Sequence, residues 1–309
     1  MPNRIHEYPL TVGLPHTNFN QLTEHKFLAQ AGAFQWTTLA RTAAMPLSRL
    51  RSVGGDEIYA TFFYIEEDFP GGMAMNTYRL DDECVFLNLV RAVKNIAFDG
   101  RALFHRTDEI PPGVRESFAA EPDAWKGRLP YLRMCNVFIM MVTGNEYLKI
   151  APPANAAFEG LEKQPADDNA YTIIRTAEET GRLSTLAEGF APADLREAFE
   201  VVHPINPDRD TNGVGLVYFA NYVAFMDWGE RQAMTQNAAV PFEPRQVDFR
   251  SLQRRELAYY GNARIDDSVR IHIRMFRRGT TEIGFRYRLE RESDGRLIAL
   301  SEAIKTIPA

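Results

Sequence analysis

The spacing of apolar residues divides the chain into helical and extended stretches. Tyr218, Phe219, Tyr222, Phe225 and Met226 fall at i, i+1, i+4, i+7 and i+8, on one face of a helix predicted to run to about Met234. Ala220, Ala224 and Ala233 keep its other faces small, so the helix suits enclosure on several sides. Downstream the period becomes two. Val269, Ile271, Ile273 and Met275 alternate with Arg270, His272, Arg274 and Phe276; Ile283, Phe285, Tyr287 and Leu289 alternate with Gly284, Arg286, Arg288 and Glu290. Gly279 and the Ser293–Arg296 stretch supply turns, which predicts an antiparallel meander with one buried face.

The first half repeats this order. A helical pattern starts at about Asn20 and stops near Pro46, and aromatic and β-branched runs follow at Glu57–Glu67, Glu83–Ile96 and Arg101–Arg106. Laid over one another at an offset of 192 residues, the two helical segments match Asn20 with Asn212, Phe27 with Phe219 and Trp36 with Trp228. Two of the three tryptophans are among these matches, which points to an internal duplication. The first unit, with a loop-rich excursion at Ala151–Ala170, occupies residues 1–190, and the second 191–309. A long helix wrapped by a curved antiparallel sheet, made twice, is an α+β double hot-dog.

Composition narrows the function. The net charge of -6 argues against a general nucleic-acid binder. Cys84 and Cys135 offer neither a disulfide framework nor a CxxC metal pair. The N-terminal stretch has no apolar core of a signal peptide, and no run is long enough to span a bilayer, so a cytoplasmic protein without a membrane partner is expected. No GxSxG elbow, HExxH motif or Cys/His cluster occurs, and no cofactor is expected beyond a thioester substrate. None of His6, His16, His25, His105, His203 and His272 opens the His-x3-Gly-x4-Pro pattern of a double hot-dog dehydratase. Asp227 then reads as a helix-surface partner of Arg231.

The loop before the second helix, DTNGVGLVYFANY from Asp210 to Tyr222, carries the candidate chemistry. Gly213 and Gly215 permit a tight path into a helix whose first N–H groups lack partners, which suits a developing oxyanion. The plainer reading is that Asn212 caps the helix. Arg270, Arg274, Arg277, Arg278, Arg286, Arg288 and Arg291 gather on the polar face of the last strands, as a solvated face or as a docking surface for an acidic carrier or CoA phosphates.

The same loop resembles the signature segment of hot-dog acyl-CoA thioesterases of the 4-hydroxybenzoyl-CoA type. Aligning Tyr218, Phe219, Ala220, Asn221 and Tyr222 with that pattern puts Asn212 on the family's catalytic aspartate. An amide is neither a carboxylate nucleophile nor a general base, so hydrolysis is put in doubt. A resemblance covering more of the chain is carried by LTEHKFLAQAGAFQW, IYATF, YLRMCNVFI, VTGN, DTNGVGLVYFANY and YYGNA, which is similar to the LnmK-like family of polyketide biosynthesis. That resemblance implies a bifunctional acyltransferase and decarboxylase that moves a malonyl- or methylmalonyl-derived group from CoA to an acyl carrier protein. It also implies a tyrosine as transient acyl carrier, matched best by Tyr59, with Tyr64 and Tyr78 as competing choices.

The expected catalytic set is therefore Tyr59, Asn212, Gly213, Gly215 and Phe219, with Arg133, Asp210, Thr211, Arg274 and Arg288 as substrate or carrier contacts. Alternatives are a thioesterase or dehydratase-like enzyme in which Asp208 or Asp210 supplies the acid, and a non-catalytic acyl-thioester binding protein. Acyl-CoA and an acyl carrier protein are the expected partners, with association into a homodimer left open.

Overall fold

The computed structural model describes residues 4–19, 21–93, 96–142, 148–154, 158, 160–163, 169–186, 189–192, 199–236 and 242–309. Asn20 of the predicted repeat and residues 143–145 of the VTGN landmark lie outside the described residues. Ten strands of six residues or more build one antiparallel sheet: β1 (His6–Thr11), β2 (Ile58–Asp68), β3 (Glu83–Val93), β4 (Ala97–Arg106), β5 (Tyr131–Met140), β6 (Phe199–Pro204), β7 (Ser251–Tyr259), β8 (Ser268–Arg278), β9 (Glu282–Arg291) and β10 (Leu297–Thr306). Across the sheet they run β1-β3-β4-β5-β2 and then β7-β10-β9-β8-β6, with a two-residue strand at Ala191–Pro192 also on β8. Adding five to each number of the first half gives the second half in reverse order. The duplication is therefore built into the sheet, and its seam is the β2–β7 pairing from Arg254↔Asp68 to Ala258↔Tyr64.

One long helix lies on the sheet in each unit, α1 (Glu24–Ala43) and α2 (Asn221–Gln236), and the two helices touch. α1 buries Phe27, Leu28, Ala31 and Leu39, with Phe27 in ring contact with Phe86 and Phe104 of the sheet. Phe225, Met226 and Ala233 of α2 belong to the same core as Ile271 and Ile273 of β8. Gly229 lets α2 approach closely, since a methyl group there would stand 2.6 Å from Ile273 Cδ1.

The second helix is shorter at its start than the sequence predicts. It begins at Asn221, so Tyr218 and Phe219 precede it. The reason is local: the backbone N–H of Tyr218 donates to Asp210 and that of Asn212 to Leu216, and Thr211 bridges Val217, which closes a separate turn before the helix can start. The predicted Asp227–Arg231 pair is also replaced. Asp227 receives Lys305 Nζ of β10 at 2.6 Å, and Arg231 reaches Asp248 at 2.7 Å, in the short helix Pro244–Asp248 that packs on α2.

The two units are locked by buried charge. Glu24 of α1 accepts from Arg255 of β7, Arg255 stands 3.8 Å from Glu230 of α2, and Glu230 also holds Lys305 at 2.8 Å and Arg250 at 2.6 Å. Burial raises the Glu230 carboxyl, but Lys305, Arg250 and Arg255 outweigh it and hold it down to about 2. Glu67, fully buried beside this cluster, is pushed the other way. Burial first and then Glu24 raise its carboxyl well above the ordinary range, against the weaker pull of Arg255 and Lys305.

Candidate active site

A cavity of about 640 Å³ opens between the turn before α2, the middle of α1 and the start of β2. Trp36 comes from α1, Ile58, Tyr59, Ala60 and Phe62 from β2, and Thr211–Val214 and Val217–Phe219 from the turn. Gly261 and Asn262, just beyond β7, close the far side. Among the described residues that line it there is no Asp, Glu, His, Cys, Lys or Arg. An interior of this kind suits an apolar acyl group, and the described lining supplies neither a usual base nor a usual counter-charge.

The turn is organised by Asn212 itself. Its Oδ1 accepts from the N–H of Val214 at 3.1 Å and of Leu216 at 3.2 Å, and its own carbonyl accepts from Gly215 at 3.0 Å. Asn212 therefore caps its own turn rather than α2, whose first residue is nine positions on. With the oxygen committed, Nδ2 is left as a donor on the cavity wall. Gly215 has φ +76, a left-handed conformation that favours glycine, and does not itself line the cavity. A methyl on Gly213 would meet nothing within 4 Å, and its N–H has no acceptor among the described residues, nor does that of Phe219. These N–H groups and the Asn212 amide are donors on a cavity whose described lining includes no carboxylate.

Tyr59 faces the same space. Its hydroxyl makes no hydrogen bond among the described residues, and burial alone pushes the phenol well above its ordinary value. No cation is among the described residues lining the cavity to offset this, so Tyr59 rests as a neutral phenol and a hydrogen-bond donor. The competing tyrosines lie elsewhere: Tyr64 donates to Glu256 at 2.8 Å, and Tyr78 sits under the Arg106 guanidinium in the core.

The other expected contacts are not brought here, apart from Thr211, which lines the cavity while its hydroxyl donates to Pro207 at 2.7 Å. Asp210 is buried against Arg209 at 2.7 Å and the Asn206 N–H at 2.9 Å. Burial raises its carboxyl, yet Arg209 and the Asn206 N–H prevail and hold it below the usual carboxylate range. Asp208 does not line the cavity either. Arg133 points from β5 to the far face of the sheet, where it grips Asp99 at 2.6 Å beneath Tyr64. Arg274 and Arg288 are exposed on the outer faces of β8 and β9, Arg288 paired with Glu290 at 2.6 Å. The arginine-rich face is largely neutralised, since Arg270, Arg278 and Arg286 also hold glutamates.

Residues that the periodicity did not single out complete the site. Asn262, inside the YYGNA landmark, accepts the Val217 N–H at 3.0 Å and donates to its carbonyl at 3.2 Å, imitating a strand partner and fixing the turn. Tyr259 donates to the Phe219 carbonyl at 3.0 Å. Gly32 of α1 lies under the Phe219 ring, which occupies the space where any side chain would project.

Neither a family model nor a curated protein matches the sequence. Solved structures do match. One described as an oleoyl thioesterase from Lactobacillus plantarum gives a TM-score of 0.66 over 99% of this chain and 97% of its own, at 10% identity. An acyl-ACP thioesterase from Bacteroides thetaiotaomicron gives 0.57 over 97% of each chain at 12% identity. The 12:0-ACP thioesterase from Umbellularia californica gives 0.58 over 98% of this chain and 94% of its own at 8% identity. The chain has the double hot-dog fold. At such identities the likeness concerns architecture, and the chemistry rests on the cavity itself.

Proposed function

We propose that the protein is an enzyme of acyl thioesters whose cavity decarboxylates a malonyl-type acyl group and passes the product to an acyl carrier protein. The observation that supports this reading is the lining: neutral donors on an apolar cavity and, among the described residues, no Asp, Glu, His, Cys, Lys or Arg to activate water. Loss of CO2 from a malonyl-type thioester needs donors for the enolate oxygen and a carboxylate removed from water, and it needs no base. The Asn212 amide, the Gly213 N–H and the Tyr59 hydroxyl are of the required kind.

The high phenol of Tyr59 fits a sequence of steps. Breaking the bond to the carboxylate carbon releases CO2 and leaves its electron pair on the α-carbon as an enolate. That carbon takes the Tyr59 proton, giving the decarboxylated acyl-CoA and a phenolate. The phenolate attacks the thioester carbonyl, CoA leaves as the thiolate, and the carrier thiol later displaces the phenol with return of the proton. Decarboxylation thus supplies the base that the described lining does not provide.

Incubation with methylmalonyl-CoA, malonyl-CoA and a carrier protein, followed by intact mass spectrometry, tests this reading. A decarboxylated acyl carrier is the expected product, and propionyl-CoA supplied directly should acylate Tyr59 far more slowly. Free CoA formed without carrier acylation, or binding without turnover across several dicarboxylic acyl-CoAs, overturns it. The whole-length likeness to acyl-ACP thioesterases favours hydrolysis as the second reading. Under that reading carrier-bound acyl chains are cleaved, with water activated by a group brought in with the substrate.

A further inference from the structure

The repeat gives the cavity a counterpart. Trp36, Tyr59 and Ala60 line the cavity, and the residues 192 positions on, Trp228, Ser251 and Leu252, line a second cleft of about 220 Å³ at the start of α1. This cleft has lost the apolar character of its mate. Its wall includes Glu24, Asp227, Arg250 and Lys305, which are joined in the buried charge cluster and satisfy one another.

Outward from it, sharing Phe19 and Gln21, lies a vestibule of about 680 Å³ walled also by Arg79, Arg245, Asn76 and Phe249. No carboxylate is among the described residues lining the vestibule. Among the described residues the Arg79 guanidinium donates only to the main-chain carbonyls of Asn76 and Tyr78, and that of Arg245 has no partner. This departs from Arg270, Arg278, Arg286 and Arg288 of β8 and β9, which hold glutamates, in a chain whose net charge is -6. Two guanidinium groups on one concave surface without a counter-ion suit a dianionic group such as a phosphate. Beside them Phe19 and Phe249 remain 47% and 40% exposed, with ring centroids 5.8 Å apart and planes inclined at 50°, Arg231 standing over the Phe19 ring, so two exposed rings offer apolar contact to a flat ligand.

We propose that this vestibule binds a nucleoside phosphate, with Arg79 and Arg245 on the phosphate oxygens and the base against Phe19 and Phe249. The site is separate from the acyl cavity, and the ion-paired inner cleft stops the ligand from going deeper.

Titration calorimetry on the full chain with ADP, adenosine 3′,5′-bisphosphate, CoA and inorganic pyrophosphate tests this. Saturable binding of the adenosine phosphates is expected, weakening with added salt and by about tenfold or more in Arg79→Gln or Arg245→Gln, the loss of one charge-assisted contact. Phe19→Ala should weaken ADP binding and leave pyrophosphate unchanged. Tyr59→Phe should leave ADP binding unchanged, and the arginine variants should keep wild-type melting temperature and turnover. Equal losses for ADP and CoA in the arginine variants identify a nucleotide site open to either source, and a loss for CoA alone identifies the nucleotide end of CoA. Absence of saturable binding, or binding indifferent to both arginine substitutions, overturns the proposal.

Discussion

Tyr59→Phe separates chemistry from architecture because the hydroxyl it removes serves no structural purpose. The Tyr59 oxygen has no hydrogen-bond partner among the described residues, so its loss orphans no buried group, and the ring keeps its apolar contacts. Stability should therefore stay within about 0.5 kcal/mol of the parent, the range of substitutions that disturb no buried feature. Activity should fall much further. One preorganised donor to a developing oxyanion is worth about 2.7–4 kcal/mol, or roughly 10²–10³ in kcat. Because the same hydroxyl is the proposed acyl acceptor, carrier acylation should be lost while residual decarboxylation continues from Asn212 and Gly213. The assay follows CO2 release and carrier mass in parallel, with thermal melts on the same preparations. Carrier acylation within threefold of the parent would show that Tyr59 neither donates nor accepts, and an activity loss matched by a lowered melting temperature would assign the effect to packing.

Asn212→Asp keeps the oxygen that accepts from Val214 and Leu216 but replaces the amide donor with charge, so decarboxylation should fall by at least tenfold; free thiol release measured with a thiol reagent should rise, and an unchanged ratio of the two products counts against the proposed donor. Asn262→Ala leaves the buried Val217 N–H and carbonyl without partners and should cost about 1–3 kcal/mol per orphaned group in chemical denaturation, with KM rising as the turn loosens. Glu67→Gln tests the buried carboxyl. Its folded value lies above the ordinary 4.5, so its stabilising contribution is complete below pH 4.5 and is lost as pH rises towards the folded value. Urea melts from pH 5 to pH 8 should show parental stability declining relative to the glutamine variant, and parallel curves would refute a raised carboxyl.

Much of the fold was legible because amphipathic periods report which side of an element is buried. The alternation at Val269–Met275 and Ile283–Leu289 marks β8 and β9, and the paired tryptophans mark positions that line corresponding clefts. The start of α2 was not legible. Tyr218 and Phe219 keep a helical spacing, but competing hydrogen bonds from Asp210 and Leu216 fold them into a turn, and no periodicity records a long-range acceptor. For the site, glycines and an asparagine in DTNGVG announced a turn with spare donors. The anchoring by Asn262 and the withdrawal of Arg133 to the far face depend on residues distant in sequence, across strands whose register no local pattern states. Arg270 and Arg286 looked like part of a docking face because a linear reading does not see Glu200 and Glu302, which cross-strand pairing sets beside them.

The seam at β2 and β7 has an evolutionary meaning. Two separate identical subunits joined at such a seam would carry two identical pockets, and any mutation would change both. Once the halves are covalently joined, each can drift alone, and the ionic lock uses that freedom: its acid Glu24 stands in one half, and Arg255, Glu230 and Lys305 stand in the other. Having settled into complementary rather than equivalent roles, neither half can be exchanged for a second copy of its sibling. A single chain thereby pairs one apolar chamber with one polar cleft, each built to its own chemistry.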